Sequence, residues 1–343
     1  MAIERYHIND FIARQQGLLL DVRSPGEFHH AHFPGSVSLP LFSDEERRVV
    51  GTAYKQESRE KAIRIGLDFF GPKMRSMVET VEQLQPENKT VFLYCWRGGM
   101  RSGAVAWLLD LYGFKVKVLS GGYKAFRNWC LTGLGQPYQL SVLGGYTGSG
   151  KTETLKEMRS RGASVIDLEA LANHKGSAFG RIGPQPSQEQ FENSLALTLY
   201  HISRQSGTPV WIEDESQRIG SVNIPKPFWE TMRRSALFFL DIPFEQRLLH
   251  ILEEYGALDP VQLEESIQRI SKRLGPLETK LSLQHIQAGE LEAAFRILLR
   301  YYDKLYLKGL HNRKEVDSLL QRVEANRVSP ENAQLLLTQP QTI

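Results

Sequence analysis

The stretch Gly145-Tyr146-Thr147-Gly148-Ser149-Gly150-Lys151-Thr152 leaves this chain few architectures to choose from. Its spacing, Gly-x4-Gly-Lys-Thr, is that of a phosphate-binding P-loop, which works only between a strand and a helix. Both are predicted here: Gln139 to Leu143 is a short apolar strand, and Glu153 to Arg159 is compatible with a helix. The backbone N–H groups of Gly145, Gly148, Ser149 and Gly150 can curl round a phosphate, and Lys151 adds a movable positive charge. The Thr152 hydroxyl can ligate a Mg ion. A strand that feeds directly into a helix belongs to an α/β fold with a largely parallel sheet. The loop identifies a phosphate and leaves the rest of the ligand open.

A second strand, loop and helix lies upstream. Thr90 to Tyr94 is an apolar run suited to a buried strand, and Ala104, Trp107, Leu108, Leu111 and Tyr112 recur at helical spacing up to Gly113. Between them, Cys95-Trp96-Arg97-Gly98-Gly99-Met100-Arg101-Ser102 offers a nucleophile, two glycines and two arginines in one turn. Unpaired N–H groups at a helix start, together with Arg97 and Arg101, favour a negatively charged sulfur, so Cys95 is poised for attack. Cys95 and Cys130 are the only cysteines in 343 residues, which argues against a disulfide scaffold or a cysteine-rich metal site. No apolar run approaches a membrane span, and the amino terminus lacks a signal-peptide pattern, so a soluble, cytoplasmic protein is expected. A net charge of +3 permits an acidic partner such as nucleic acid without demanding one.

Leu18 to Val22 reads as a buried strand that ends in Asp21-Val22-Arg23, followed by the turn Ser24-Pro25-Gly26-Glu27-Phe28 and then by His32-Phe33-Pro34-Gly35. With the Cys95 loop these segments, in this order, resemble the rhodanese family over most of residues 1 to 130. The resemblance implies an α/β domain and a cysteine that carries sulfur or selenium. Asp21, Arg23 and Glu27 are expected to stabilise the scaffold. Five residues separate Cys95 from Arg101, where many rhodaneses have four. That is also the loop size of cysteine-dependent phosphatases, which keeps phosphoryl transfer open. Those enzymes have histidine before the cysteine, and Tyr94 at that place favours chalcogen transfer.

A charged insert, about 42–85, interrupts this half, with Ser43 and Glu46 forming a capping-box signal for a helix. Its Arg47, Arg48, Lys55, Lys61, Arg64, Lys73 and Arg75 offer contacts to a phosphate backbone or simply a solvated face. Downstream of the P-loop, Pro209 to Ile212 is an apolar strand that ends in Glu213, Asp214 and Glu215. Alternation puts Glu213 and Glu215 on one face and Asp214 on the other. At least one carboxylate should approach the P-loop phosphate and at least one should serve the following turn. The segment from Asn173 to Arg181 reads as a functional loop, with His174, Lys175, Ser177 and Arg181 as candidate substrate contacts, and Arg218 follows the carboxylates. The remainder is expected to be helical, with Leu291, Phe295, Leu298, Leu299, Tyr302, Leu305 and Tyr306 as a core-facing stripe.

The expected organisation is therefore a rhodanese-like α/β domain over residues 1–134 and a P-loop NTPase-like α/β domain over 135–240. A helical C-terminal region, 241–343, packs with the latter. This rare order, with Gly176-Ser177-Ala178-Phe179-Gly180 and Glu215-Ser216-Gln217-Arg218-Ile219-Gly220, resembles the tRNA 2-selenouridine synthases over nearly the full length. The resemblance implies replacement of sulfur by selenium at C2 of the wobble 2-thiouridine of tRNA. It also implies selenophosphate and geranyl diphosphate as co-substrates and an S-geranylated intermediate. Two other readings of the residues stand beside it: a nucleotide-dependent kinase fused to a sulfurtransferase or phosphatase, and a non-catalytic tRNA-binding protein.

Overall fold

A computed structural model describes residues 3–84, 89–174, 183–205, 209–256 and 258–340. The chain divides into two compact units, Met1–Gly133 with Glu189–Leu197, and Leu134–Gln188 with Thr198–Ile343.

The first unit is built on five parallel strands: β1 (Ile3–Tyr6), β2 (Leu18–Asp21), β3 (Val37–Ser38), β4 (Thr90–Tyr94) and β5 (Lys115–Leu119). Their order is β1-β5-β4-β2-β3, so β4 is the middle strand. Burial on both faces explains why β2 and β4 read as unbroken apolar runs. Leu18, Leu20 and Val22 share one core with Val91 and Leu93 of β4 and with Val105 and Leu109 of the helix Met100–Tyr112, whereas Leu19 and Phe92 point the other way. On that side Phe92 meets Phe11 edge-on, with ring centroids 5.4 Å apart, and Phe33 stacks on Phe126 at 4.0 Å. The insert is three helices, Asp44–Gln56, Arg59–Phe70 and Met74–Leu84, the last burying Met77, Val78 and Val81 in the first core. Ser43 caps the first of them and forms the expected capping box with Glu46.

The second unit repeats the plan. Strands β6 (Leu140–Gly144), β7 (Val165–Ile166), β8 (Val210–Glu213), β11 (Ala236–Asp241) and β12 (Leu320–Glu324) form a parallel sheet, while β9 (Arg218–Ile219) and β10 (Val222–Asn223) make a small hairpin. The sheet order is β12-β11-β6-β8-β7, and again the middle strand leads into the loop of interest. Helices Phe244–Tyr255, Pro260–Leu274, Pro276–Gln287 and Leu291–His311 share a separate core around Leu248, Ile267, Ile286, Phe295 and Leu298. The described residues after β11 are thus mostly helical, apart from β12, which joins the edge of the sheet beside β11. Leu305, expected in the core stripe, is 45% exposed. Among the described residues no helix is long and apolar enough to cross a membrane.

Candidate functional site

In an open parallel sheet, ligands bind beyond the carboxyl ends of the strands, and a loop leaving the middle strand has neighbours on both sides. Cys95 is the first residue after β4 and is 3% exposed. Its thiol donates to Ser102 Oγ at 3.2 Å, and Ser102 in turn donates to the Gly99 carbonyl at 3.1 Å. The loop is clasped from below by the start of the helix Gly122–Gly133. Tyr123 N–H donates to the Cys95 carbonyl at 2.8 Å and Lys124 N–H to that of Trp96 at 3.0 Å. Gly122 has φ +60° and sits so close that a Cβ there would overlap the Cys95 carbonyl oxygen, so only glycine permits the clasp. Arg5 Nη1 adds a bond to the Gly98 carbonyl at 2.9 Å.

Tyr123 backs the loop. Its ring lies 5.7 Å from that of Trp96, which is 38% exposed, and 3.9 Å from the Arg23 guanidinium. Its hydroxyl donates to Glu189 at 2.6 Å and accepts from Asn193 Nδ2 at 2.8 Å. Arg127 fixes the same helix segment by bonding Asn193 Oδ1 at 3.0 Å and pairing with Glu192.

Asp21 and Arg23 form a fully buried ion pair, with Nη2 to Oδ2 at 2.6 Å, and Arg23 also donates to the Ala31 carbonyl at 2.7 Å. Tyr94 donates to Asp21 at 2.8 Å and accepts from Phe33 N–H at 3.0 Å, while burial beside Asp21 raises its pKa well above the usual phenol value. These residues are scaffold, as expected. Glu27 completes the capping box with Ser24, but its carboxylate also receives Arg101 Nη1 at 2.7 Å. Burial opposes its ionisation, yet pairing with Arg101 and Arg47 holds its pKa below the usual carboxylate range. Arg101 is therefore committed to a protein carboxylate, whereas Arg97 is exposed.

In the second unit the P-loop runs from β6 into the helix Lys151–Ser160. Gly150 adopts φ +70°, and a Cβ there would overlap the Val328 side chain. Lys151 Nζ donates to the Gly145 carbonyl at 3.2 Å and lies 3.6 Å from Glu213. Thr152 Oγ1 donates to Glu169 at 3.5 Å. Carboxylate oxygens of Glu169, Glu213 and Glu215 lie within 4.8 Å of one another, and with Thr152 they form an all-oxygen donor set suited to a hard divalent cation such as Mg. Burial pushes the Glu213 carboxyl up to about 8, with Glu169, Asp167 and Glu153 adding to the effect and Lys151 opposing it. Burial and the charge of Glu213 raise Glu215 as well.

Asp214 points elsewhere, as the alternation required. It accepts from Arg313 Nη2 at 2.6 Å and from the Tyr306 hydroxyl at 2.9 Å. Tyr306 also accepts from Gly145 N–H at 3.3 Å, which links the P-loop entry to the carboxylate strand. Arg247 holds the loop on its other side, donating to the Thr147 carbonyl at 3.0 Å and to both oxygens of Asp303.

The structure thus gathers Gly145, Gly148, Ser149, Gly150, Lys151, Thr152, Glu213 and Glu215 at one place, and Cys95, Arg97 and Arg101 around another. His174 follows the helix Leu168–Ala172, with its N–H on the Glu169 carbonyl at 3.0 Å. Arg218 is exposed and donates to Gly220 within its own turn at 2.9 Å. Lys175, Ser177 and Arg181 lie outside the described residues. Sequence reasoning missed Glu169, whose signal is a carboxylate just past the apolar Val165-Ile166. It also missed Arg247, Tyr306 and Arg313, which are distant in sequence and carry no motif.

The model of the Rhodanese-like domain family matches residues 7–128, and that of the tRNA 2-selenouridine synthase AAA domain matches residues 138–329. Curated relatives span both. The tRNA 2-selenouridine synthase of Nitrosomonas europaea is 37% identical over 275 residues, covering 78% of this chain and 70% of the relative. That of Psychromonas ingrahamii is 34% identical over 320 residues, with 84% and 86% covered, and that of Hydrogenovibrio crunogenus is 37% identical over 322 residues, with 84% and 88% covered. A cysteine cradle and a P-loop, each on the middle strand of its sheet, and relatives that extend across both, lead to one conclusion: the chain belongs to the tRNA 2-selenouridine synthase family.

Proposed function

We propose that this protein replaces sulfur by selenium at C2 of the wobble 2-thiouridine of tRNA in two steps, acting in the cytoplasm. In the first, the thiocarbonyl sulfur attacks C1 of geranyl diphosphate, the C–O bond breaks, diphosphate departs and the uridine N3 proton is lost to solvent. In the second, the selenium of selenophosphate forms a bond to C2 while the C2–S bond breaks and geranylthiol leaves, and the P–Se bond breaks as water takes the phosphoryl group. The observation that supports this reading is that a thiol-bearing loop and a P-loop each follow the middle strand of a parallel sheet.

The P-loop amides and Lys151 bind the diphosphate of the first step, where negative charge grows on the leaving group. Thr152, Glu169, Glu213 and Glu215 would hold a Mg ion, which when bound supplies charge neutralisation to the diphosphate. Cys95 delivers selenium in the second step at the selenide level of its donor, since a perselenide on Cys95 would need an oxidant that the reaction does not supply. Arg97, exposed beside it, contacts the anionic donor, and Arg101, already paired with Glu27, contributes positive field and fixes the loop. Trp96, exposed and seated on Tyr123, offers a face for the unstacked uridine.

The test is to incubate the purified protein with 2-thiouridine tRNA, with and without geranyl diphosphate and selenophosphate, and to analyse the nucleosides by mass. Cys95→Ser is expected to retain geranylation and lose selenation; persistent selenation would sink the cysteine role. Lys151→Ala is expected mainly to damage geranylation, and a variant that geranylates normally and loses only selenation would reverse the assignment of the P-loop.

A further inference from the structure

The helix Leu291–His311 carries Arg296, Arg300, Lys304 and Lys308 at successive intervals of four. Like charges at that spacing face one another along a helix and destabilise it. Other helices answer several of their cations at this spacing: Arg48 pairs with Glu45, Arg75 with Glu79 and Arg269 with Glu265, each on the same helix, and Lys61 pairs with Glu57 just before its helix. On Leu291–His311 only Arg296 is answered in this way, by Glu245 and Glu292 at 2.6 and 2.9 Å. The helix's other acid, Asp303, gives both carboxylate oxygens to Arg247 at 2.9 and 2.8 Å. Arg300, Lys304 and Lys308 are exposed and, among the described residues, form no ion pair. Arg300 is steadied by Phe244, whose ring centre lies 5.9 Å from its guanidinium.

Three exposed cations, none in an ion pair among the described residues and only Arg300 within the field of a carboxylate, that of Glu245, therefore stand in a row about 12 Å long on a rigid helix. Such a row suits a polymer that bears a negative charge on every unit. A membrane surface is disfavoured, because the helix buries Phe295, Leu298 and Leu299 in its own core and, of its large apolar side chains, exposes only Leu305. We infer that the face bearing Arg300, Lys304 and Lys308 is a docking surface for RNA phosphates, remote in sequence from both reactive loops. The inference rests on tRNA being the substrate.

The experiment compares full-length wild type with the triple variant Arg300→Gln, Lys304→Gln, Lys308→Gln, measuring tRNA affinity from low to moderate salt. Removing three phosphate contacts should make the slope of log affinity against log salt shallower by about two to three and weaken binding about tenfold near physiological salt. The melting temperature should hold or rise, since mutual repulsion is relieved. The charge-preserving variant Arg300→Lys, Lys304→Arg, Lys308→Arg should bind as wild type does. An unchanged slope, with or without weaker binding, overturns the inference, as does loss of binding to anionic vesicles while tRNA binding persists. If wild type binds tRNA with the expected slope yet alters no nucleoside, only the functional reading falls. If it selenates tRNA and the triple variant keeps the wild-type slope, only the docking surface falls.

Discussion

A carboxylic acid on a protein surface is ionised at neutral pH, whereas burial pushes Glu213 up to about 8 against the ordinary 4.5. The fold therefore favours its neutral form. That contribution to stability is fully present below about 4.5 and is lost as the pH rises through about 8. Glu213→Gln, a neutral mimic, should reduce the fall in melting temperature across that window and be more stable than wild type at its upper end. Thermal melts over the range check this, and an unaltered pH dependence would refute it. Glu215 is shifted in the same direction, so some slope should survive until both are replaced. Much of this was legible residue by residue, because strand alternation already separated Glu213 and Glu215 from Asp214. The division of labour was not, because Asp214 owes its role to Arg313 and Tyr306, about a hundred residues away.

Among elements, the two strand-loop-helix units could be read directly, since glycines, the apolar strand and the helix that follows are all local signals. β12 could not. Its sequence Leu-Gln-Arg-Val-Glu buries only Val323 among polar and charged side chains, as suits a sheet edge open to water, and resembles the charged helices around it. The helix Leu291–His311 shows how one element serves two purposes. Its apolar stripe fills the helical core, while Tyr306, at the stripe's far end, reaches Gly145 N–H and Asp214. Tyr306→Phe keeps the ring packed between Tyr146 and Phe239 but leaves a P-loop amide and a part-buried carboxylate each short of one partner. We expect a loss of about 1–2 kcal/mol in stability. We also expect weaker binding of inorganic diphosphate, read by calorimetric titration. Undiminished diphosphate affinity would show that Tyr306 only packs.

For the whole molecule, the first unit is completed by Glu189–Leu197, a piece of helix encoded beyond the P-loop. No local signal marks it, because its amphipathic pattern is that of any helix and its partners Tyr123, Arg127 and His32 lie far upstream. Phe191 and Leu195 are fully buried, so a fragment ending at residue 134 should expose apolar surface and hold the Cys95 loop loosely. Such a fragment should melt well below the corresponding transition of the full chain, and its Cys95 should be alkylated faster. A synthetic peptide of residues 186–200 should reverse both effects, and a fragment indifferent to that peptide would show the segment to be dispensable. The same feature bears on how the protein is made. As the chain leaves the ribosome, the cysteine-bearing unit cannot finish assembling when its own last strand has emerged. It must wait until the phosphate-binding loop and the helix after it have also been translated, so a polypeptide cut short between the two halves would not leave behind a properly supported thiol.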